Sequence, residues 1–472
     1  MLETNSKLGE LHVVSHTFHS TVLREYDVRG IVGETLDTQD ARAVGLSFGT
    51  MVRRQGGSTV VVCCDGRHSS PRLTEALISG LMATGCIVTR IGVGPTPMLY
   101  FSVFDLEADA GVMVTGSHNP ANWNGFKMML ADRPVYGADI RLLGDMAAAG
   151  DWETGTGEQR SVPMIDRYVE RLLQDFRGGA FKIGWDCGNG AAGPVVERLT
   201  KLLPGEHLLL YTEVDGDFPN HHPDPTVEAN LADLKQLVVQ NACDFGVAFD
   251  GDADRIGAVD GQGRVVWGDQ LLSILAQPVL SDLPGATVIA DVKASQTLFD
   301  RITLLGGKPA MWKTGHSLIK ARMKELGAPL AGEMSGHIFF GHRWYGVDDG
   351  ILGAVRLIEA VTAQGGSLTS LKDAMPVVQS TPELRFQSSE ERKFRVVEEV
   401  LARLKAEGAI VDETDGARVQ RDGGWWLLRA SNTQDVLVGR VEAVSLPKLD
   451  ALKAELFDQL SLSGVAAQTV SH

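Results

Sequence analysis

The chain has 472 residues, of which 44% are hydrophobic and 22% are charged. This length predicts three or four domains, because single cores stop growing at about 250 to 300 residues. The 44 basic and 60 acidic residues give a formal charge of −16. That charge argues against nucleic acid or an anionic membrane as a partner, although basic residues inside a cleft can still bind a small anion.

The cysteine and hydropathy patterns predict a soluble, cytoplasmic protein. The cysteines lie in or beside apolar segments and form no C-x-x-C pair, which is typical of buried free thiols in a reducing compartment. The five are Cys63, Cys64, Cys86, Cys187 and Cys243. The first 20 residues lack a basic segment followed by an apolar one, and no uncharged apolar run reaches the length of a membrane span.

Short apolar runs alternate with helix-period segments over about the first 375 residues, which is the pattern of parallel α/β sheets. The runs "STVVVCCDGR", "FKIGWDCGNG" and "TVIADVKASQT" predict strands that stop in polar turns. Each has a later counterpart, in "AGVMVTGSHNP", "DFGVAFDGDADR" and "APLAGEMSGH". The chain therefore looks like three repeats of one design, with ligand groups gathered at the carboxyl ends of strands.

The pattern changes after about residue 377. "SSEERKFRVVEEVLARLKAEGA" predicts a charged amphipathic helix, "GARVQRDGGWWLLRAS" a hairpin, "LVGRVEA" a strand and "LPKLDALKAELFDQLSLSG" a closing helix. These elements predict a separate α+β domain. The first dozen or so residues and "AAQTVSH" are expected to be frayed termini. The predicted domains are 1–161, 162–264, 265–376 and 377–472.

Ser117 stands in the polar cluster "TGSHNP" directly after an apolar segment. It is not in a G-x-S-x-G elbow, so an acyl-transfer triad is not indicated. Taken alone, it could be a turn serine that caps the local backbone. His118 and Lys127 nearby favour a nucleophile instead, because a nucleophile needs charge stabilisation close at hand.

"GNGAAG", from Gly188 to Gly193, matches the dinucleotide-binding fingerprint and has Glu213 and Asp215 just over 20 residues further on. It makes an NAD-dependent oxidoreductase the competing class of function. Against it, Asp186 stands two residues before the first glycine, where such fingerprints usually have an uncharged strand end. The match also leaves the other polar loops without a role.

The segment "FDGDADRIG" places Asp250, Asp252 and Asp254 at alternate positions of a glycine-containing loop. Three such carboxylates can turn oxygens toward one hard cation such as Mg²⁺, with coordination positions left for phosphate oxygens. An EF-hand is excluded, since loop position six is Arg255 and position twelve is Gly261. The alternative is a solvated acidic turn.

Two later loops carry polar side chains suited to a phosphosugar. The first is "GEMSGH", which could grip adjacent sugar hydroxyls or simply cap the next helix. The second is "RASNTQD", where an arginine and a run of hydroxyl and amide donors could hold a phosphate or form a polar hairpin turn. The candidate residues are Glu333, Ser335 and His337 in the first loop, and Arg429, Ser431, Asn432 and Thr433 in the second.

Taken together, these loops resemble the α-D-phosphohexomutase superfamily, and most closely its bacterial phosphomannomutase/phosphoglucomutase branch. The resemblance covers about residues 18 to 445 in order. It rests on "LREYDVRGIVGETL", "TGSHNPANWNGFK", "FPNHHPDPTVEANL", "FDGDADRIG", "KTGHSLIK", "GEMSGHIFFGHRWYGVDDG" and "RASNTQDVLVGRVEA". So many long motifs in one order are highly specific.

The resemblance implies three similar mixed α/β domains and a smaller α+β C-terminal domain around a central cleft. It implies that Ser117 carries a phosphoryl group and binds Mg²⁺ together with the three aspartates, that the "GEMSGH" residues bind the sugar, and that the "RASNTQD" residues hold the phosphate that is not transferred. Further positions that match cleft residues of the family are Tyr26, Arg29, His118, Lys127, Arg255, Lys293 and His316.

The reaction that the resemblance implies interconverts hexose 1-phosphates and hexose 6-phosphates of glucose and mannose through a hexose 1,6-bisphosphate. Glucose or mannose 1,6-bisphosphate would serve as activator. Ser117, His118, Lys127, Arg29 and Arg255 are the expected catalytic residues, and Lys127, His337 and Arg29 are the candidates for the general base. Hexose phosphates are the expected partners, with no nucleic acid and no membrane, and the protein is expected to be a monomer or a weak homodimer.

Two alternatives remain within the resemblance. Phosphoglucosamine mutase is the closer, although "TGS" and "GEMSGH" favour the hexose branch; the other is a phosphosugar-binding protein without turnover. The sequence also departs from the family, which commonly has Glu-Pro where Gln434 and Asp435 stand, and often proline at Ala430. We expect a more mobile phosphate loop and weaker phosphate binding.

Overall fold

The computed structural model describes residues 15–432 and 434–466. Apart from Ala466, the terminal segments predicted to be frayed lie outside this range. The described chain forms four β-sheets, each made from one consecutive segment of the sequence. The predicted boundary between residues 264 and 265 cuts the second sheet, because Val265–Val266 pair with it. The domain ranges otherwise remain predictions.

The first unit has a mixed sheet in the order β1-β5-β4-β2-β3-β7, with β6 paired to β5. Its strands are β1 Val28–Ile31, β2 Thr59–Cys64, β3 Ile87–Val93, β4 Ala110–Val114, β5 Trp123–Leu130, β6 Arg133–Pro134 and β7 Gln159–Ser161. Its helices are α1 Thr38–Arg54, α2 Ser70–Ala83, α3 Thr96–Asp105 and α4 Ala138–Ala149.

The second unit has a five-stranded sheet in the order β12-β11-β10-β8-β9. Its strands are β8 Phe181–Asp186, β9 Gly205–Leu210, β10 Phe245–Phe249, β11 Ile256–Asp260 and β12 Val265–Val266. Its helices are α5 Ile165–Leu173, α6 Gly193–Thr200 and α7 Ala232–Gln240, with a 3₁₀ turn at Glu228–Leu231.

The third unit has the order β14-β13-β15-β16-β17. Its strands are β13 Thr287–Asp291, β14 Lys308–Trp312, β15 Leu330–Gly332, β16 Ile338–Phe340 and β17 Val347–Asp348. Its helices are α8 Gly268–Asp282, α9 Gln296–Leu304, α10 His316–Leu326, α11 Gly350–Gln364 and α12 Leu368–Asp373.

The fourth unit is an antiparallel sheet in the order β18-β23-β22-β21-β20, with β19 also paired to β23. Its strands are β18 Gln379–Ser380, β19 Leu384–Gln387, β20 Ile410–Asp412, β21 Ala417–Arg421, β22 Gly424–Ala430 and β23 Val436–Ala443. Two helices, α13 Glu390–Ala406 and α14 Leu446–Leu462, complete the α+β unit.

The first three sheets repeat one strand order, which confirms the predicted repetition. In each, two parallel strands lie side by side and the second is followed by an antiparallel hairpin partner: β2, β4 and β5; β8, β10 and β11; β13, β15 and β16. The sheets are therefore mixed rather than all parallel. A connection of only a few residues reverses the chain, whereas a parallel crossover needs a dozen or more.

This repetition decides where the site lies. The serine, metal and sugar motifs each occupy the hairpin turn between the two antiparallel strands, after β4, β10 and β15 respectively. All three motifs thus follow the carboxyl end of an equivalent parallel strand. The fourth motif follows β22 of the α+β unit.

The apolar clusters join the first three units into one core and give the fourth unit a core of its own. One apolar cluster runs through the first three units and includes Phe101, Trp185 and Ile351. The fourth unit has its own cluster around Trp426 and Leu456. All five cysteines lie in the described part and are buried and free. Among the described residues, no helix is both long and apolar enough to cross a bilayer.

Candidate active site

The serine loop joins β4 to β5. Ser117 is buried, and its φ of +49° lies in the left-handed region that few non-glycine residues adopt. Its Oγ donates a hydrogen bond to Asp250 Oδ2 at 3.0 Å and lies 3.1 Å from His118 Nδ1. The predicted nucleophile therefore meets the first predicted metal-binding carboxylate, although 133 residues separate them in the chain.

The three aspartates are fully buried in the turn between β10 and β11. One carboxylate oxygen from each lies within 4.8 Å of the others. Burial, followed by the charges of Asp252 and Asp254, raises the pKa of Asp250 well above its usual range. Among the described residues, Asp252 Oδ1 and Asp254 Oδ1 have no hydrogen-bond partner. Buried unpaired carboxylate oxygens are costly, so this set fits a hard divalent cation.

Lys127, on β5, reaches the same triad. Its Nζ donates to Asp252 Oδ2 at 2.7 Å and to Asp254 Oδ2 at 2.5 Å. Burial lowers the pKa of the Lys127 ammonium, but the two carboxylates outweigh burial and leave it raised. Burial raises the pKa of Asp252, but Lys127 and the Thr96 hydroxyl outweigh that effect and leave it lowered. Lys127 is therefore a cation held between two of the candidate metal ligands.

The sugar motif forms the turn between β15 and β16. Glu333 and His337 are buried and Ser335 is half-buried. Glu333 Oε1 accepts a hydrogen bond from the Gly315 N–H at 2.6 Å, and burial raises the pKa of this carboxyl group. His337 Nε2 accepts one from Arg255 Nε at 2.9 Å. The sugar loop of the third unit is thus tied to the metal loop of the second.

The second imidazole nitrogen of His337 faces two carboxylates. Nδ1 lies 2.9 Å from Asp348 Oδ2 and 3.6 Å from Asp254 Oδ1, close enough for ion pairing but without hydrogen-bond alignment. Lys320 donates to the other oxygen of Asp348 at 2.9 Å. Asp348 and Lys320 therefore complete the polar wall behind His337.

The phosphate motif of the fourth unit reaches the first unit. Arg429 Nε donates to Asp415 Oδ2 at 2.8 Å, and Asn432 Nδ2 donates to the Tyr26 hydroxyl at 2.7 Å. Tyr26 in turn donates to the Thr314 carbonyl of the third unit at 3.0 Å. Ser431 is buried beside Arg429 in sequence. Thr433 lies outside the described residues.

The remaining predicted cleft residues are polar groups, and their contacts lie both within and between the units. Arg29 donates to the Gly116 carbonyl at 2.8 Å, within the serine loop. Lys293 donates to Glu383 at 3.3 Å, across the junction of the third and fourth units. The His316 ring lies 5.6 Å from the His337 ring, centroid to centroid. Burial is the main reason that the pKa values of His118 and His316 lie well below the usual range.

A cavity of about 1170 Å³ opens beside Tyr26, Lys127 and His316, between the first and third units. Its size exceeds what a sugar phosphate needs. Hydrogen bonds join the serine loop to the metal loop, the metal loop to the sugar loop, and the phosphate loop to Tyr26 of the first unit. The roles of the individual residues remain predictions.

Sequence reasoning missed several residues that hold this site in place. They are Asp65, Arg67, Thr96, Lys320, Asp348, Glu383 and Asp415. A signal existed for the first two, because "DGR" ends the strand β2 exactly as the recognised motifs end theirs. For the others the contact partner lies 14 to 156 residues away in sequence, and no local pattern marks it.

The "GNGAAG" segment does stand between a strand and a helix, β8 and α6, but its glycines serve internal packing. A Cβ at Gly190 would lie 2.8 Å from the Gly251 carbonyl, and one at Gly193 would lie 1.8 Å from the Thr212 carbonyl. The glycines thus admit the chain's own backbone rather than a pyrophosphate. The segment therefore gives the dinucleotide-binding interpretation no support, since packing alone accounts for its glycines.

Three α/β units and one α+β unit that bring together a buried serine, a carboxylate triad and several cations define an enzyme of the phosphoryl-transfer class. The chain matches the phosphoglucomutase/phosphomannomutase models for alpha/beta/alpha domains I, II and III at residues 20–148, 166–263 and 267–378. It matches the model for the C-terminal domain at residues 383–459.

Curated relatives and solved structures agree. The chain is 42% identical over 445 residues to a phosphomannomutase/phosphoglucomutase of Pseudomonas aeruginosa, covering 94% of this chain and 96% of that one. It is 40% identical over 430 residues to a phosphoglucomutase of Neisseria gonorrhoeae, covering 89% and 93%. A phosphoglucomutase/phosphomannomutase family protein from Burkholderia thailandensis superposes with a TM-score of 0.91 at 41% identity, covering 96% and 100%. The chain belongs to the phosphoglucomutase/phosphomannomutase family and is an intramolecular phosphotransferase.

Proposed function

We propose that this mutase interconverts the 1-phosphates and 6-phosphates of glucose and mannose, with Ser117 carrying the phosphoryl group between them. One observation carries the proposal: Ser117 Oγ lies 3.0 Å from Asp250 Oδ2, within a buried carboxylate triad that has unpaired oxygens. The names of the relatives from Pseudomonas support both sugars as substrates.

Asp250, Asp252 and Asp254 would hold Mg²⁺, together with an oxygen of phosphorylated Ser117. When bound, this cation neutralises part of the charge on the transferring phosphoryl group. Lys127 and Arg255 supply further positive charge around the same group. Both are held in place by carboxylate or imidazole partners, so little reorganisation is needed during transfer.

In the first transfer, O6 of a hexose 1-phosphate attacks the phosphorus on Ser117. The P–O6 bond forms, the P–Oγ bond breaks, and the bond's electron pair stays on Oγ, which takes up a proton. The proton of the O6 hydroxyl passes to a base. Lys127, His337 and Arg29 are the candidates for this base. Lys127 and Arg29 donate through protonated nitrogens, and His337 Nε2 already accepts a hydrogen bond from Arg255 Nε, so His337 could act only after Arg255 releases that nitrogen.

The second transfer reverses these roles after the 1,6-bisphosphate has turned end over end. Ser117 Oγ gives up its proton to the base and attacks the phosphorus on O1, the P–Oγ bond forms, and the P–O1 bond breaks. O1 takes up a proton and the product is the hexose 6-phosphate. During each transfer, the phosphate that does not react is held by Arg429, Ser431, Asn432 and Thr433.

Sugar selectivity would come from Glu333 and Ser335, which would bind O3 and O4, as the resemblance implies. Gly315 fixes the Glu333 carboxylate through Oε1. Neither residue would bind the hydroxyl at C2, the carbon at which glucose and mannose differ, so the phosphates of both sugars should react. A C4 epimer such as galactose should be rejected, because it leaves a buried polar group of the site unpaired.

Phosphorus NMR on the purified protein with Mg²⁺ and a trace of glucose 1,6-bisphosphate tests this function. Parallel samples contain glucose 1-phosphate, mannose 1-phosphate, glucosamine 1-phosphate and galactose 1-phosphate. We expect the first two to become 6-phosphates, with little conversion of the others. Conversion of glucosamine 1-phosphate alone would favour a phosphoglucosamine mutase, and no conversion in any sample would favour a phosphosugar-binding protein.

Three finer features belong to the same proposal. A hexose 1,6-bisphosphate serves as activator, because it can phosphorylate Ser117. The location is cytoplasmic, which the buried free cysteines support. The protein acts as a monomer or a weak homodimer, which light scattering coupled to gel filtration would test: a stable larger assembly at micromolar concentration would contradict it.

A further inference from the structure

We propose that Arg67 is a positioning residue for the phosphoryl relay: it holds the backbone of the serine loop, residues 115–123, in the one shape that presents Ser117 to the triad. The inference rests on the proposed function of Ser117. Arg67 itself contacts none of the reacting groups. It lies in the turn after β2, next to the strand β4 that leads into the loop.

The guanidinium of Arg67 is completely buried, with 0% of its side chain exposed. Its two terminal nitrogens donate to four carbonyls of the serine loop, those of Ser117 at 2.7 Å, Asn119 at 2.6 Å, Pro120 at 2.5 Å and Trp123 at 3.0 Å. A planar guanidinium with five N–H donors in a fixed fork suits such a set of acceptors, whereas the single ammonium of lysine does not.

The serine loop needs this support because its backbone is unusual. Ser117 has a φ of +49°, which an L-residue adopts only when its surroundings impose it. Gly116 packs directly against the guanidinium: a Cβ there would lie 2.4 Å from the Cζ of Arg67. The guanidinium therefore fills the inside of the turn, and the loop wraps around it.

Two neighbours keep Arg67 in place. Asp65 Oδ2 accepts hydrogen bonds from Arg67 Nε at 3.1 Å, from the Thr115 hydroxyl at 2.8 Å and from the Gly116 N–H at 3.1 Å. Phe218, from the second unit, covers the guanidinium with its ring centroid 5.1 Å from Cζ. The Asp65 carboxylate holds the guanidinium on one side and the Phe218 ring covers it on the other, so water cannot replace its contacts with the carbonyls.

The test is the effect of Arg67→Lys on kcat and on KM. Lysine keeps the charge but cannot bind the four carbonyls at once, so Ser117 shifts relative to the triad. A displacement of about 1 Å lowers the rate about 100-fold. We expect kcat to fall by this factor and KM for glucose 1-phosphate to stay within about threefold, because the sugar and phosphate loops belong to other units.

Arg171→Lys is the matched control. Arg171 also donates to a backbone carbonyl, that of Arg343 at 3.0 Å, and lies over an aromatic ring, that of Trp344, at 4.5 Å. It joins the second and third units away from the serine loop. We expect this variant to melt earlier with kcat unchanged, so that a loss specific to Arg67→Lys reports on the loop rather than on general stability.

Recovery of kcat on addition of free guanidinium distinguishes a positioning role for Arg67 from a purely structural one. We expect millimolar guanidinium to restore part of the kcat of Arg67→Ala and to leave Ser117→Ala inactive. An Arg67→Lys enzyme with the kcat of its control, or one with raised KM and unchanged kcat, would overturn the proposal.

Hydrogen exchange on the wild-type protein decides the question if the variants do not fold. The amides of Ser117, Asn119 and Trp123, which donate within the serine loop, are expected to exchange as slowly as those of β4, and exchange at the rate of exposed loops would overturn the proposal. Turnover by the wild-type protein in the same assay distinguishes a failure of the proposed function from a failure of the role of Arg67. A wild type without turnover refutes the relay, whereas a wild type with turnover and an equally fast Arg67→Lys refutes the role of Arg67.

Discussion

Replacing Lys127 by methionine should destabilise the protein far more without Mg²⁺ than with it. Lys127 has 5% of its side chain exposed, and its partners Asp252 and Asp254 have none. The ammonium therefore neutralises two buried carboxylates that are also candidate metal ligands. Methionine has similar length but no charge, so the variant leaves both carboxylates uncompensated.

The magnitude follows from this burial. Removing one partner of a buried ion pair costs about 3–5 kcal/mol. Bound Mg²⁺ would take over part of the neutralisation, so we expect less than half of this loss when the cation is saturating. If the cation restores about 2 kcal/mol, linkage requires the variant to bind Mg²⁺ about 30-fold more tightly than the wild type. The kcat should fall nevertheless, because the charge that faces the transferring phosphoryl group is gone.

Urea unfolding in EDTA and in Mg²⁺, together with calorimetric titration of Mg²⁺, measures both quantities. Lys393→Met is the control, since Lys393 is a buried lysine with 1% of its side chain exposed, and it is paired with Glu390 in the fourth unit rather than with the triad. Its loss of stability should be the same in both buffers. Equal losses for Lys127→Met in the two buffers, or weaker binding of Mg²⁺, would refute the reasoning.

Three further changes test other parts of the site. Ser117→Ala should abolish phosphorylation by glucose 1,6-bisphosphate, read by intact mass, and a protein that is still phosphorylated would contradict the role of the serine. Gln434→Glu combined with Asp435→Pro should lower KM by stiffening the phosphate loop and giving Arg385, which now donates to Gln434 Oε1 at 2.6 Å, a charged acceptor; an unchanged KM would count against it. Burial raises the pKa of Glu383, but Lys293 and Arg385 outweigh burial and lower it from 4.5 to about 2. The resulting stabilisation, at most about 3 kcal/mol, is present above pH 4.5 and lost as the pH falls toward 2. Thermal melts of Glu383→Gln should lack this acid dependence, and an unaltered pH profile would contradict it.

The motifs could be located from the sequence alone because each one directly follows a buried strand. "TGSHNP", "FDGDADR" and "GEMSGH" come after β4, β10 and β15, so periodicity and turn chemistry locate them before any coordinates are known. The repetition of strand order then explains why the motifs meet. The mixed character of the sheets was less visible, because an antiparallel hairpin and a parallel crossover begin with the same apolar run.

Contacts between distant segments could not be read from the sequence. Lys127 precedes its partners Asp252 and Asp254 by 125 and 127 residues, and only the register of β5 against β4 brings its side chain to them. The four carbonyl contacts of the Arg67 guanidinium likewise form only because the loop after β4 folds back around it. The "GNGAAG" segment shows the opposite error, since glycines that fit a ligand-binding pattern pack against the chain's own backbone.

The most direct test of the relay follows a labelled phosphoryl group. The protein is phosphorylated with a labelled hexose 1,6-bisphosphate, freed of small molecules, and mixed with unlabelled glucose 1-phosphate and Mg²⁺ for a single turnover. The account predicts that the label leaves Ser117 and appears first in glucose 1,6-bisphosphate. Label that stays on the protein while glucose 6-phosphate forms would contradict it.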